Sequence, residues 1–151
     1  MNFTGTEARE WAEQDRLVEW VQHFLRNAEG EHANPNPGFA DGLLLEERFY
    51  IGPMQLPLNV LKTVRVAADI SDARELAEFR RKVDAIGRLL PEWDMPPFLV
   101  QFRDGALWLT DGNHRYTALQ ESGSGTGCAI IWGNAGFADE ATEYLRSITV
   151  D

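Results

Sequence analysis

The chain has 151 residues, enough for one ordinary domain and too few for two independent cores. Hydrophobic residues at 44% and charged residues at 25% match a globular composition and exclude a disordered one. Asp plus Glu outnumber Lys plus Arg by 24 to 14, a net charge of −10, which disfavours non-specific binding to duplex DNA because that requires clustered cations.

Residues 6–28 carry Trp11, Leu17, Val18, Val21, Phe24, Leu25 and Ala28 near the 3.6-residue period, which predicts an amphipathic helix. Thr4 with Glu7 fits a capping box, and Gly30 fits a stop. Residues 1–30 thus read as an N-terminal helix appended to the core, with Trp11 or Trp20 available to a protein partner. Residues 31–45 contain Asn34-Pro35-Asn36-Pro37-Gly38 and read as a loop, either a tether or an ordered lid. Residues 46–151 read as a single globular unit. Within it, 47–51 suggest a short strand, and Pro53 and Pro57 predict an irregular extended segment. Residues 58–66 fit either a short helix or a strand.

Ser71 is the expected N-cap of a helix over 72–90, with Leu76, Phe79, Val83, Ile86, Leu89 and Leu90 as its apolar stripe and Pro91 as its end. Residues 98–102 form an apolar strand. Asp104-Gly105 is a two-residue hairpin signal, and 106–110 is the return strand, Leu107 and Leu109 on one face and Trp108 on the other. Asp111-Gly112-Asn113 predicts a turn, and 114–121 a short helix. The Ser-Gly run 122–127 reads as a flexible connection. Residues 128–132 predict a buried strand and 137–147 a last helix. This order predicts an α+β fold, a small mixed sheet with helices packed on it.

The single cysteine, Cys128, excludes a disulfide framework or a multi-cysteine zinc site, and its apolar strand setting predicts an inert thiol. His23, His32 and His114 lack metal-ligand spacing. No apolar run approaches the roughly 20 residues of a membrane span, and residues 1–5 lack the basic start of a secretory signal. The expectation is a soluble cytoplasmic protein that does not associate with membranes.

One run carries chemistry: Leu109-Thr110-Asp111-Gly112-Asn113-His114-Arg115-Tyr116. A strand ends, a glycine turns, and a helix begins. The first-turn N–H groups of a helix have no partners within it, and with the helix dipole they attract an anion. His114 and Arg115 are placed to add charge-assisted bonds, and the planar Arg fork suits phosphate. Asp111 stands where a carboxylate can hold Mg²⁺ or accept a proton. The same residues also fit a plain turn in which Asp111 or Asn113 caps the helix.

Asp-Gly-Asn-His-Arg-Tyr-x-Ala-Leu resembles the signature of the ParB/sulfiredoxin superfamily, which includes ParB N-terminal ("ParB-like nuclease") domains, sulfiredoxins and free serine kinases. Leu56-Pro57-Leu58-Asn59-Val60-Leu61, Lys82-Val83-Asp84-Ala85-Ile86 and Pro96-Pro97-Phe98-Leu99-Val100 are similar to further pieces of these domains, in the same order. The resemblance spans residues 47–133. It implies a ParB/sulfiredoxin-like fold and a nucleotide site in which Gly112, Asn113, His114 and Arg115 hold the phosphates of ATP or CTP, with Lys82 approaching from the central helix. Asn113 stands where sulfiredoxins carry their reactive cysteine, which excludes sulfinic-acid repair. Ala85 and Leu89 replace hydroxyl residues of the sulfiredoxin helix. No helix-turn-helix segment follows, which excludes a partition protein. The serine kinases' Asp-Gly-His-His-Arg is similar to Asp111–Arg115.

The resulting expectation is Mg²⁺-dependent phosphoryl transfer or phosphodiester hydrolysis, with Asp111 and His114 as candidate catalytic groups, Asp111 as metal ligand, and a nucleotide or other phosphorylated small molecule as ligand. The alternatives are a non-catalytic, nucleotide-gated binding module, and an interaction protein whose His-Arg turn is only a capped helix.

Overall fold

The computed structural model describes residues 1–30, 32–63 and 69–148. Three helices come first: α1 (Gly5–Glu13), α2 (Leu17–Asn27) and α3 (Pro37–Leu43). Strand β1 (Arg48–Pro57) follows, then a 3-10 turn (Leu58–Val60) and the two-residue β2 (Leu61–Lys62). Helix α4 (Ala73–Leu89) leads to the hairpin of β3 (Phe98–Arg103) and β4 (Ala106–Asp111). The chain ends with α5 (Asn113–Glu121), β5 (Thr126–Asn134), a second 3-10 turn (Ala135–Phe137) and α6 (Ala138–Ile148).

The five strands form one sheet in the order β1-β5-β3-β4-β2. The fold is α+β with a mixed sheet: β1 pairs antiparallel with β5, β5 parallel with β3, β3 antiparallel with β4, and β4 parallel with β2. The hairpin turns where expected. Asp104 and Gly105 have φ of 53° and 72°, the doubly positive backbone that the right-handed strand twist favours in a two-residue loop. β3 and β5 are interior strands, and Phe98–Val100 and Ala129–Trp132 are buried on both faces, which explains their apolar runs.

Alternation along these strands divides the core. One face presents Phe98, Val100, Phe102, Leu107 and Ile131 to Tyr116 of α5 and to Ala141 and Leu145 of α6. The other presents Leu99, Ile130 and Trp132 to Trp20, Val21, Phe24, Leu25, Ala40 and Leu43. The first 45 residues therefore supply the whole layer on that second face. A third cluster, Phe79, Val83, Ile86 and Ala118, joins α4 to α5.

Several expected boundaries differ. The helix over 6–28 is two helices, broken at Asp15, whose φ is 61°. The fold-back brings Trp20 against α1, so that its indole N–H donates to Glu7 Oε1 at 2.9 Å. That cross-helix contact outweighs helical continuity, which local periodicity cannot anticipate. Thr4 caps α1 as expected, accepting from Glu7 N at 3.1 Å, while the Glu7 carboxylate accepts from the N–H groups of Asn2 and Phe3.

Part of the expected loop is α3. Asn36 accepts from Phe39 N at 3.0 Å and Pro37 opens the first turn, a start signal hidden in a proline-rich string. β1 is longer than expected and runs through Pro53 and Pro57. It bulges between Ile51 and Met54, where Gly52 has φ of 112°. Asp72, not Ser71, caps α4, accepting from Arg74 N and Glu75 N at 2.9 Å each. Of the ambiguous 58–66 segment, 58–60 is a 3-10 turn and 61–62 a strand, and 64–66 lie outside the described residues.

Trp20 tests whether the N-terminal layer is integral. It is fully buried, stacked on Phe24 at 5.1 Å between ring centroids. Trp20→Ala should lower the global unfolding free energy by about 3–5 kcal/mol in urea titrations. A separable appendage would instead show an unchanged main transition.

Candidate functional site

The Asp111–Arg115 run sits where β4 passes into α5. Gly112 makes the passage with φ of 115°, a left-handed backbone. A Cβ there would stand 2.6 Å from Phe98 Cδ1 and 3.1 Å from Arg115 Nη2, so only glycine lets the turn close over the strand. The first intrahelical bond of α5 runs from Tyr116 N–H to the Gly112 carbonyl at 2.8 Å. The N–H groups of residues 113–115 precede that ladder and lie at the positive end of the helix.

Arg115 does not point outward. It is 6% exposed, and its guanidinium lies between the rings of Phe24 and Phe98, 5.4 and 5.6 Å from their centroids. Nη1 donates to the carbonyls of Pro96 at 2.5 Å and Pro97 at 3.0 Å, and Nη2 donates to Asp111 Oδ2 at 2.7 Å. Burial lifts the Asp111 carboxyl above the ordinary carboxylate value, and the guanidinium beside it pulls it back. The pair contributes no net charge.

Asp111, Gly112, Asn113, His114 and Arg115 all line one cavity of about 170 Å³. The other walls come from elsewhere: Asn2 and Phe3, the end of α2, the loop carrying His32, Ala33, Asn34 and Asn36, and Trp93 with Pro96. These walls were not anticipated, because nothing local in residues 2–3 or 32–36 signals which turn they cover. Asn113 Oδ1 is sealed from solvent and has no hydrogen-bond partner. A buried acceptor left unmatched costs about 1–3 kcal/mol.

His114 lies against Phe79, with ring centroids 4.8 Å apart. Lys82 is not among the residues lining the cavity. Its Nζ donates to Asn34 Oδ1 at 3.2 Å and the Ala33 carbonyl at 3.5 Å, and so fastens the loop that walls the cavity. His32 packs edge-on against Trp93, centroids 4.8 Å apart, and burial, seconded by the Arg115 charge, holds its imidazole below the ordinary histidine value. The neighbouring Asp94 carboxylate accepts from Thr6 N at the start of α1 at 3.2 Å. Segment 93–97 therefore touches the loop, the first helix and Arg115 together.

The donor set does not fit a protein-held Mg²⁺. Among the described residues no group of three or more His, Cys, Asp and Glu is placed to hold a metal. The Asp111 carboxylate is paired with Arg115, and a cation would have to displace a guanidinium buried beside it. Cys128 is half-buried on β5, and burial raises its thiol above the ordinary value, which leaves it protonated and a poor nucleophile. Among the described residues, no helix is long and apolar enough to cross a membrane.

No protein-family model matches this chain, and no curated protein matches it. Among solved structures, the crystal structure of sulfiredoxin from Arabidopsis thaliana is similar over 65% of this chain and 98% of that one, with 21% sequence identity and a TM-score of 0.42.

The buried pair makes a measurable claim. Asp111→Asn leaves the guanidinium without its countercharge and should cost about 3–5 kcal/mol of stability in urea unfolding. The double variant Asp111→Leu/Arg115→Met should recover a large part of that loss, because no charge remains buried.

Proposed function

We propose that the cavity holds the phosphate end of a nucleotide or other phosphorylated small molecule, and that the protein acts as a gated binding module. The observation that carries this reading is the start of α5, whose first-turn residues 113–115 line the cavity at the positive end of the helix. The Gly112-Asn113-His114-Arg115 turn resembles the phosphate-holding turn of ParB/sulfiredoxin proteins, which supports the same ligand class.

The cavity volume limits what enters. At about 170 Å³ it falls below the roughly 300–1,000 Å³ common for whole small-molecule ligands. A phosphate fits within it. A base and ribose belong outside, or enter after residues 32–36 move. ATP and CTP are the nucleotides the resemblance favours. Gating would come from the walls, because a base and ribose enter the cavity only if the N-terminal layer or its loop shifts, and that layer packs on the sheet.

Within this reading Arg115 acts as a buried brace that orients the turn. Lys82 acts as a fastener of the loop. Duplex DNA is a poor ligand: the net charge is −10, and Arg80, Arg81, Arg26 and Arg16 are each paired with a carboxylate, which lowers the positive charge they offer a backbone of phosphates.

Phosphoryl transfer or phosphodiester hydrolysis is the second reading, and the place of His114 on the cavity wall favours it. A neutral imidazole there would take a proton from an attacking hydroxyl or water.

Calorimetry with inorganic phosphate, AMP, ATP and CTP, each with and without Mg²⁺, tests both. Binding should be present without the metal and should weaken at least about tenfold in Asn113→Asp, which places a carboxylate among the α5 amides; tenfold corresponds to about 1.4 kcal/mol. Amide resonances of residues 113–115 should shift with ligand. Unmoved amides with every probe would remove the phosphate reading. Release of phosphate from ATP or CTP on incubation would favour the second reading over the binding module.

A further inference from the structure

The loop that walls the cavity carries a histidine whose setting is more elaborate than a loop residue needs. A Cβ on Gly30 (φ 112°) would stand 2.8 Å from His32 Cε1, so the backbone of residue 30 lies directly under the imidazole. Trp93 presents to it edge-on at 4.8 Å, and Lys82 pins the two residues that follow. Held on three sides, the imidazole makes no hydrogen bond among the described residues, yet it lines the same cavity as the α5 N-terminus. His32 lies outside residues 47–133, the span of the family resemblance, so this chain brings it to the turn through its own N-terminal layer.

We propose that His32 is the second arm of the phosphate site: it takes a proton from solvent when an anion enters and grips that anion from the loop side, opposite the α5 amides. This inference rests on the phosphate reading and adds to it a binding residue and a pH control.

The surrounding charges set the direction. Arg115 faces His32 from α5, and its charge is answered by Asp111 at the end of β4. His114 lines the cavity from the same helical turn. Glu29 stands at the start of the loop, exposed at the cavity edge, and Lys82 reaches the loop from α4 but binds its backbone and Asn34. With the cavity empty, a proton on His32 is opposed by burial and by the guanidinium. An anion between the imidazole and the α5 amides reverses that balance, since opposite charge at close range favours the charged imidazole. Binding and protonation then reinforce each other, as linkage requires.

Sulfate is the appropriate probe, because it resembles phosphate and keeps its charge throughout the range of histidine titration. In the whole protein, calorimetric affinity for sulfate should fall about tenfold per pH unit as pH rises from about 6 to 7, the limit for one linked proton. Heats in buffers of different ionisation enthalpy should report uptake of close to one proton. The His32 ring resonances should titrate at higher pH with sulfate than without. His32→Gln, a neutral change on a partly exposed loop, should bind sulfate about tenfold more weakly at pH about 6 and lose the pH dependence.

Two results overturn the inference, and they are distinguishable. If sulfate moves the amides of residues 113–115 equally in wild type and His32→Gln, with the same pH dependence, the phosphate site stands and His32 has no part in it. If sulfate moves none of those amides at any pH, the phosphate reading itself fails and this inference with it.

Discussion

The inward guanidinium of Arg115 is the constraint on which the site depends. It ties the first turn of α5 to the end of β4 through Asp111, to the step into β3 through the Pro96 and Pro97 carbonyls, and to α2 through the ring of Phe24. A buried charge is tolerated only when its partners are in place. Here they come from three stretches of chain besides α5 itself, so forming the turn requires the sheet and the N-terminal layer to be assembled. The shape of the turn that opens α5 is thereby made a property of the whole fold.

That arrangement changes the role of the motif. A surface arginine beside a helix N-terminus grips a ligand directly. A buried one holds backbone, and in the proposed site the amides it positions would hold the ligand. In the proposed phosphate site, affinity would depend on neutral amides and on the histidines, because the Arg115–Asp111 pair cancels its own charge. Binding of this kind is modest in strength and sensitive to protonation.

The legible part of the fold was the part written in local pattern. The Asp104-Gly105 turn needs only two residues with positive φ. The stripe of α4 needs only its own period, and Phe79, Val83 and Ile86 are buried as that period requires. The motif could be placed at a strand–turn–helix junction for the same reason. The inward direction of Arg115 was not legible, because beyond Asp111 its acceptors lie 18 and 19 residues upstream on carbonyls that any residue could supply. Nor was the break at Asp15, which depends on Trp20 finding Glu7 across the fold-back. The apolar stripe of α2 was visible, but its partners Leu99, Ile130 and Trp132 belong to strands more than 70 residues away, and periodicity names no partner.

The placement of Asn2 and Phe3 on the cavity wall has a practical corollary. Their amides are anchored on Glu7, and Met1 before them is 56% exposed. An affinity tag fused ahead of Met1 would emerge beside the cavity, and a polyhistidine version would bring imidazoles of its own to a place that His32 and His114 already line. Recombinant material for ligand work is therefore better carried without an amino-terminal fusion.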